Sequence, residues 1–251
     1  MILTIAGTEL RRMFYSPLAW AILAVVMFIL GLVFLILVDN YMSTIQAQLI
    51  GVPGAPGVTD VVIAPVIFWA SVIMLTVSPL QTMRALSEER QQGSLTLLTS
   101  APLSTTELVL GKYLALLLFI LVLLGLVALM PLSLSGGTNL GWGKILAGLL
   151  GLFLLLASFS AAGLYISSQT KTPLIAAMCS FGLLVFLVVL YMSGSAEGTA
   201  SQLFIYLSHF GHMLSFLAGL FDSSDLVYYL LFSVAFLILT IRRLDNERLQ
   251  H

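Results

Sequence analysis

Seven apolar stretches of this chain contain no aspartate, glutamate, lysine or arginine, and this pattern limits the possible folds more than any motif does. The stretches cover residues 13–38, 61–83, 113–143, 145–170, 172–196, 198–221 and 226–241. A helix that crosses the hydrocarbon core of a bilayer needs about 20 apolar residues. Only 8% of the 251 residues are charged, whereas soluble domains contain about 25%. The sequence therefore predicts an all-α polytopic membrane protein and excludes a soluble enzyme and a nucleic-acid-binding protein, which would need a basic excess.

Capping residues and prolines trim six of these stretches to helices of spanning length. The predicted spans lie near residues 17–38, 61–83, 107–131, 145–168, 173–193 and 225–241. The remaining stretch, 198–221, is long enough for a seventh span, so the basic residues have to decide. With six spans, nine of the ten Lys and Arg residues lie on the side of the N-terminus, whereas with seven spans six do. We therefore expect one domain over residues 1–251, with six spans, cytoplasmic termini and an outer re-entrant or surface-lying segment at 198–222.

The first residues of the chain predict a helix that lies in the membrane interface. Apolar and polar side chains within residues 2–16 separate onto two faces of a helix. Arg11 and Arg12 resemble part of a twin-arginine signal. However, the apolar run that follows is long enough to span, and no small-residue cleavage site follows it. We therefore expect an interfacial helix over 2–16 rather than a signal peptide.

The predicted spans offer no means of driving transport within this chain. Apart from residues near their ends they contain no ionisable side chain, and ion-coupled carriers need such groups inside the membrane. Gly111-Lys112 is the nearest approach to a phosphate-binding loop, but Thr106 and Tyr113 break the GxxxxGK[ST] pattern twice. We expect no catalytic residues, no cofactor and no metal in this chain, so any energy for transport has to come from another protein.

The longest predicted cytoplasmic loop, residues 84–112, contains the densest group of charges. Gly93 is expected to end the helix that continues from the second span, and residues 94–99 are expected to form a short element that exposes leucines. Ser104 and Glu107 fit a capping box at the start of the third span. Two interpretations stay open on these grounds: a short cytoplasmic helix clamped between two spans, within a loop of residues 84–106, or an ordinary solvated loop with a good cap.

This loop resembles the loop between the second and third spans of type-2 ABC exporter permeases (ABC-2 type). The residues that carry the resemblance are Glu88-Glu89-Arg90-x-x-Gly93-x-Leu95-x-Leu97-Leu98-x-x-x-Pro102-Leu103-Ser104-x-x-Glu107-Leu108-Val109-Leu110-Gly111-Lys112. Within that superfamily the chain is most similar to the gliding-motility-associated (GldF-like) permeases. Further likeness lies in the N-terminal stretch 9–17, in 79–89 and in 207–226, so the resemblance extends over essentially the whole chain.

The resemblance implies that the loop is a coupling helix, which docks on a separate ATP-binding subunit. The docking residues would be Glu88, Glu89, Gly93, Leu95 and Leu98. It also implies two copies of that subunit, which bind ATP and Mg²⁺, and a second permease, either identical or related. The gliding-motility likeness adds an auxiliary membrane protein with a large periplasmic domain. The expected location is the cytoplasmic (inner) membrane of a bacterium.

His209 and His212 are one helical turn apart in the outer segment and allow three interpretations. They could be structural or interfacial, they could contact a substrate, or they could bind a metal. Two ligands are too few for a metal site, and only Asp222 or Asp225 lies near enough in sequence to supply a third. The single cysteine, Cys179, excludes a disulfide framework.

The sequence leaves several functions open beside ATP-driven export. The permease would be a mechanotransmitter if ATP hydrolysis moved a periplasmic partner and nothing crossed the membrane. An intramembrane enzyme would have to use His209 and His212, because the spans contain no carboxylate or nucleophile suited to catalysis. A plain channel would leave the loop at 84–112 without an explanation.

Overall fold

The structure, a computed structural model, describes residues 1–46, 56–93, 104–138, 140–194 and 207–248. In these ranges every regular element is a helix. The helices are α1 Ile2–Tyr15, α2 Pro17–Asn40, α3 Ala64–Thr82, α4 Arg84–Gln91, α5 Thr105–Leu134, α6 Trp142–Gln169, α7 Pro173–Gly194, α8 His209–Leu217 and α9 Ser223–Arg248. A π-helical turn, Tyr41–Ile45, continues α2, and another, Thr59–Ile63, precedes α3.

Within the described residues, six helical runs are long and apolar enough to cross a membrane, which confirms the predicted fold of six spanning helices. They are Pro17–Ile45, Thr59–Gln91, Thr105–Leu134, Trp142–Gln169, Pro173–Tyr191 and Ser223–Arg248. Most of these runs extend beyond the predicted spans, because polar residues at the ends continue the helical hydrogen bonding. The described part of the outer segment contains only the nine-residue helix α8, which at 1.5 Å per residue is about 13 Å long and too short to span.

Contacts between the helices place both chain termini at one end of the bundle. α1 packs along α5, with Ala6 buried, and Arg90 near the end of α4 contacts Glu247 near the end of α9. We call this the termini end; it comprises residues 1–16, 84–93, 104–112, 170–172 and 242–248. Nine of the ten basic residues lie there. The tenth, Lys144, is 2.9 Å from Asp60 at the opposite end, which we call the distal end.

The helix α6 forms the centre of the bundle and is the most buried of the six runs. It packs against α3, α5, α7, α8 and α9. Two of its glycines allow these close contacts: a Cβ atom on Gly151 would lie 2.6 Å from the Cβ of Phe216, and one on Gly163 would lie 2.2 Å from Thr82 Oγ1. Since real Cβ atoms do not approach other atoms this closely, the sequence of α6 fixes how α3 and α8 pack on it.

Replacing Gly163 with alanine is expected to destabilise the protein by about 1–3 kcal/mol, because the added methyl group overpacks the contact with buried Thr82. The thermal unfolding midpoint of the purified protein in mild detergent measures this. Gly182→Ala is the matched control, since no atom lies within 4 Å of its added Cβ, and alanine favours helix over glycine. Equal midpoints for the two variants would contradict the packing described here.

Candidate coupling site and the distal histidine cluster

The joint between α3 and α4 is held by one serine of the central helix. The helix is interrupted at Met83. The first backbone N–H groups of α4 therefore have no carbonyl acceptor in a preceding turn of the same helix. Ser167 Oγ accepts hydrogen bonds from the backbone N–H groups of Leu86 and Ser87 at 3.1 and 3.0 Å, and donates to Met83 O at 3.1 Å. A single hydroxyl group supplies one donor and two acceptor positions, so Ser167 uses its full hydrogen-bonding capacity at this joint and ties α4 to α6.

A buried cluster of charges joins α1, α4 and α5 at the termini end. Lys112 Nζ lies 2.6 Å from Glu9 Oε1 and 2.6 Å from Glu89 Oε1. Lys112 is 2% exposed and Glu89 is 4% exposed. Arg12 adds two longer contacts, 3.7 Å to Glu89 and 3.8 Å to Glu88. The carboxylate of Glu89, one of the predicted docking residues, is therefore directed into this chain, where it holds α4 against α1 and α5.

The last turns of α9 anchor both ends of the loop at 94–103. On the N-terminal side, Arg90 Nη2 donates to Glu247 Oε2 at 2.7 Å. On the C-terminal side, Thr105 donates a hydrogen bond to Asp245 Oδ1. The two acceptors are two residues apart on one helix, so the two ends of the loop are fixed relative to each other.

The helix that follows the loop begins with the predicted capping box. Ser104 Oγ accepts from the backbone N–H of Glu107 at 3.1 Å, and Glu107 Oε2 accepts from the backbone N–H of Ser104 at 3.3 Å. These two bonds satisfy N–H groups that the helix itself leaves without partners. The start of α5 is therefore fixed locally as well as through α9.

The predicted docking residues comprise two glutamates on α4, a glycine that follows α4, and two leucines of the loop. Glu89 is buried, whereas the side chain of Glu88 is 28% exposed and lies beside Arg12. Gly93 follows α4 with a φ of 74°, a left-handed conformation that favours glycine. Leu95 and Leu98, together with the expected short element at 94–99, lie outside the described residues. The structure thus describes the base of the predicted coupling helix.

The two histidines belong to a compact cluster at the distal end. His212 Nδ1 lies 2.6 Å from Asp225 Oδ1, and its ring stacks on Tyr228 at a centroid distance of 4.1 Å. His209 is fully buried: its backbone carbonyl accepts from the hydroxyl of Tyr229 at 2.5 Å, and its Nδ1 lies 3.0 Å from the hydroxyl of Tyr228. These contacts fasten α8 to the first turns of α9.

The geometry of this cluster favours the structural interpretation of the histidines. In the described part of the chain, no group of three His, Cys, Asp or Glu side chains is placed to hold a metal ion. The ring of His209 packs edge-on against Phe232 at 4.3 Å and stacks with Phe159 at 5.8 Å. Burial, reinforced by the neighbouring His212, lowers the pKa of His209 to about 3, so its imidazole is neutral at physiological pH.

Acidification is expected to destabilise the protein through His209. Its pKa is lowered from 6.5 to about 3 on folding, so between these values the unfolded chain binds a proton that the folded chain does not. Stability therefore falls as the pH decreases below about 6.5, by about 2 kcal/mol at about pH 5. As the pH is lowered from about 6.5 to about 5, the unfolding midpoint of the wild type should fall more steeply than that of His209→Phe. Parallel pH profiles for the two proteins would contradict this.

The six apolar helices of spanning length in the described part of the chain make this a multi-pass membrane protein. A family model described as ABC-2 family transporter protein matches residues 3–247. The chain therefore belongs to the ABC-2 transporter family, as a membrane permease subunit. No curated protein matches the chain. The match does not support the narrower resemblance to gliding-motility-associated permeases.

Proposed function

We propose that this chain is the membrane-spanning subunit of an ATP-driven exporter and that residues 94–103 dock on a separate ATP-binding subunit. Membership of the ABC-2 family implies a partnership with such a subunit. We propose two copies of that subunit, which bind ATP and Mg²⁺, and a second permease copy or a related permease. The bundle would lie in a bacterial inner membrane with its termini end in the cytoplasm, in agreement with the positive-inside rule.

The observation that supports this function best is the rigid base of the loop at 94–103. Before the loop, Ser167 fixes α4 to the central helix α6. Lys112 of α5 fixes α4 through Glu89 and α1 through Glu9. After the loop, Asp245 and the capping box fix the start of α5. A displacement of the loop by a few Å would therefore tilt the attached helices rather than bend the chain locally. An ordinary solvated loop does not require such a base.

The alternatives differ in what they require of this chain. A mechanotransmitter would use the same base and the same docking loop. It would also need an auxiliary protein with a large periplasmic domain, which only the narrower gliding-motility resemblance suggests. An intramembrane enzyme would need reactive groups at His209 and His212. His212 is engaged with Asp225 and Tyr228, and the ring of His209 is enclosed by aromatic side chains, which supports a structural role.

Purification of the tagged chain from the membranes of its own host tests the proposed function. In mild detergent, an ATP-binding subunit with a phosphate-binding loop should co-purify in equal amount with the permease. The purified complex should also hydrolyse ATP in a Mg²⁺-dependent reaction. A permease recovered folded and dimeric, with neither an ATP-binding subunit nor ATPase activity, would contradict the proposal.

A further inference from the structure

A cavity of about 160 Å³ lies at the termini end, where α1, the first turns of α2, the α3–α4 joint and α5 meet. One water molecule needs only about 10–15 Å³ of such space, so the cavity has room for a larger group. It borders the cluster around Lys112 but extends away from it between the spans. Neither the base of the coupling loop nor the histidine cluster accounts for it.

Three cationic side chains, those of Arg12, Arg84 and Lys112, line the side of the cavity nearest the termini end, together with the carboxylates of Glu9 and Glu88. Lys112 is paired with Glu9, but other donors on this side have unused capacity. Arg84 is exposed and forms no ion pair within the part of the chain that the structure describes. Arg12 is half exposed and reaches Glu88 and Glu89 only at 3.8 and 3.7 Å, beyond hydrogen-bond distance. Gln81 Nε2 is buried, yet it has no hydrogen-bond partner among the described residues. Buried polar atoms in proteins are nearly always satisfied, so this amide points to a missing acceptor.

The wall of the cavity becomes apolar with depth. Ile22, Leu116 and Phe119 line it, and Phe119 lies seven residues along α5 from Lys112. At 1.5 Å per residue, this separation is about 10 Å. Leu80 lines the cavity and is also 38% exposed, so the cavity opens sideways at the level of an apolar residue. The site thus has cationic and amide donors at one end and an apolar wall that leads away from them.

We propose that this cavity binds a glycerophospholipid. The phosphate would accept hydrogen bonds from Arg12, Gln81 and Arg84, because guanidinium groups bind phosphate in a bidentate geometry. The first part of one acyl chain would lie along the apolar wall, and the remainder would leave past Leu80 into the bilayer. A free phosphate would gain nothing from the wall, and a lipid without a phosphate would leave the donors unsatisfied. The site belongs to the permease itself and does not depend on docking of the ATP-binding subunit.

Native mass spectrometry of the delipidated full-length chain in detergent tests this site with three probes. Phosphatidylglycerol carries both the phosphate and the chains, diacylglycerol lacks the phosphate, and glycerol 3-phosphate lacks the chains. Phosphatidylglycerol should bind saturably, at one molecule per chain. Each of the other two probes should bind at least about tenfold more weakly, a difference of about 1.4 kcal/mol. Non-saturable binding of phosphatidylglycerol, or equal binding of either partial probe, would overturn the proposal.

Two substitutions locate the binding within the cavity. Arg84→Gln and Gln81→Leu should each weaken phosphatidylglycerol binding at least about fivefold, about 1 kcal/mol. Arg84 is exposed, so its replacement leaves the fold intact, and the unfolding midpoint verifies this. Arg11→Gln is the matched control, because Arg11 neighbours Arg12 on α1 but does not line the cavity. An equal loss for Arg11→Gln and Arg84→Gln would show general attraction of lipid to positive charge and would overturn the assignment.

Discussion

Replacing Lys112 with methionine is expected to destabilise the protein by about 3 kcal/mol, which is a large effect for one side chain. Methionine keeps the unbranched shape and most of the length of the side chain but removes the charge that Glu9 and Glu89 share at 2.6 Å. A carboxylate that stays buried without its cation carries an uncompensated desolvation cost. Arg12 at 3.7 Å from Glu89 offsets part of it, so we expect the lower end of the usual range. The unfolding midpoint in detergent should fall by about 6–12 °C.

Two further variants distinguish the buried cluster from a general effect of removing charge. Lys171→Met removes an exposed lysine at the same end of the bundle and should leave the midpoint nearly unchanged. Adding Glu89→Gln to Lys112→Met should recover part of the loss, because the neutral amide no longer needs a cation. If Lys112→Met and Lys171→Met unfold at the same temperature, the cluster does not stabilise the assembly of α1, α4 and α5.

Replacing Leu95 or Leu98 with aspartate is expected to remove the ATP-binding subunit from the purified complex. In the proposed docking helix both leucines enter an apolar pocket on the partner, where a carboxylate would be desolvated without a counter-charge. A loss of 1.4 kcal/mol lowers affinity tenfold, and we expect at least that for each variant. The measurement is the amount of ATP-binding subunit recovered per tagged permease, while insertion and the unfolding midpoint of the permease stay unchanged.

Thr96→Asp is the matched control for these two variants. It introduces the same charge into the same segment without removing a leucine, and the partner should be retained. If both leucine variants keep the ATP-binding subunit, the docking residues are assigned wrongly. The same conclusion follows if Thr96→Asp releases the partner as completely as they do.

The sequence predicted those features that depend on composition and on neighbouring residues. Long charge-free runs predicted six spans, and Ser104 with Glu107 predicted a capping box that the structure contains. The distribution of basic residues also excluded a seventh span over 198–221. The apolar runs and the capping box are local patterns of about twenty residues or fewer, and the distribution of basic residues is counted over the whole chain.

The sequence did not predict the contacts that hold the base of the coupling loop. Ser167 lies about 80 positions from Leu86, and Asp245 lies 140 positions from Thr105. Such pairs depend on how the helices pack, and no local pattern marks them. The resemblance alone indicates Glu89 as a docking residue, whereas its carboxylate is buried beside Lys112. Lys112 belongs to an incomplete phosphate-binding motif and to the stretch that resembles ABC-2 permeases, and neither pattern predicts its ion pairs with Glu9 and Glu89.

The histidine cluster shows an intermediate case. The spacing of His209 and His212 correctly places both on one short helix, and Asp225 is near enough in sequence to be considered as a partner. The sequence does not show that Tyr228 and Tyr229 enclose the histidines, because this depends on the approach of α9. The aromatic surroundings favour a structural role over metal binding, and only the packed structure reveals them.

Photo-crosslinking from residue 96 tests the central claim most directly. A photoreactive amino acid at this position, in the middle of the proposed docking segment, should form a covalent adduct with the ATP-binding subunit in native membranes. The same amino acid at residue 136, in the distal loop between α5 and α6, should form none. An adduct from residue 136, or the absence of an adduct from residue 96 in membranes that contain the ATP-binding subunit, would contradict docking at the loop.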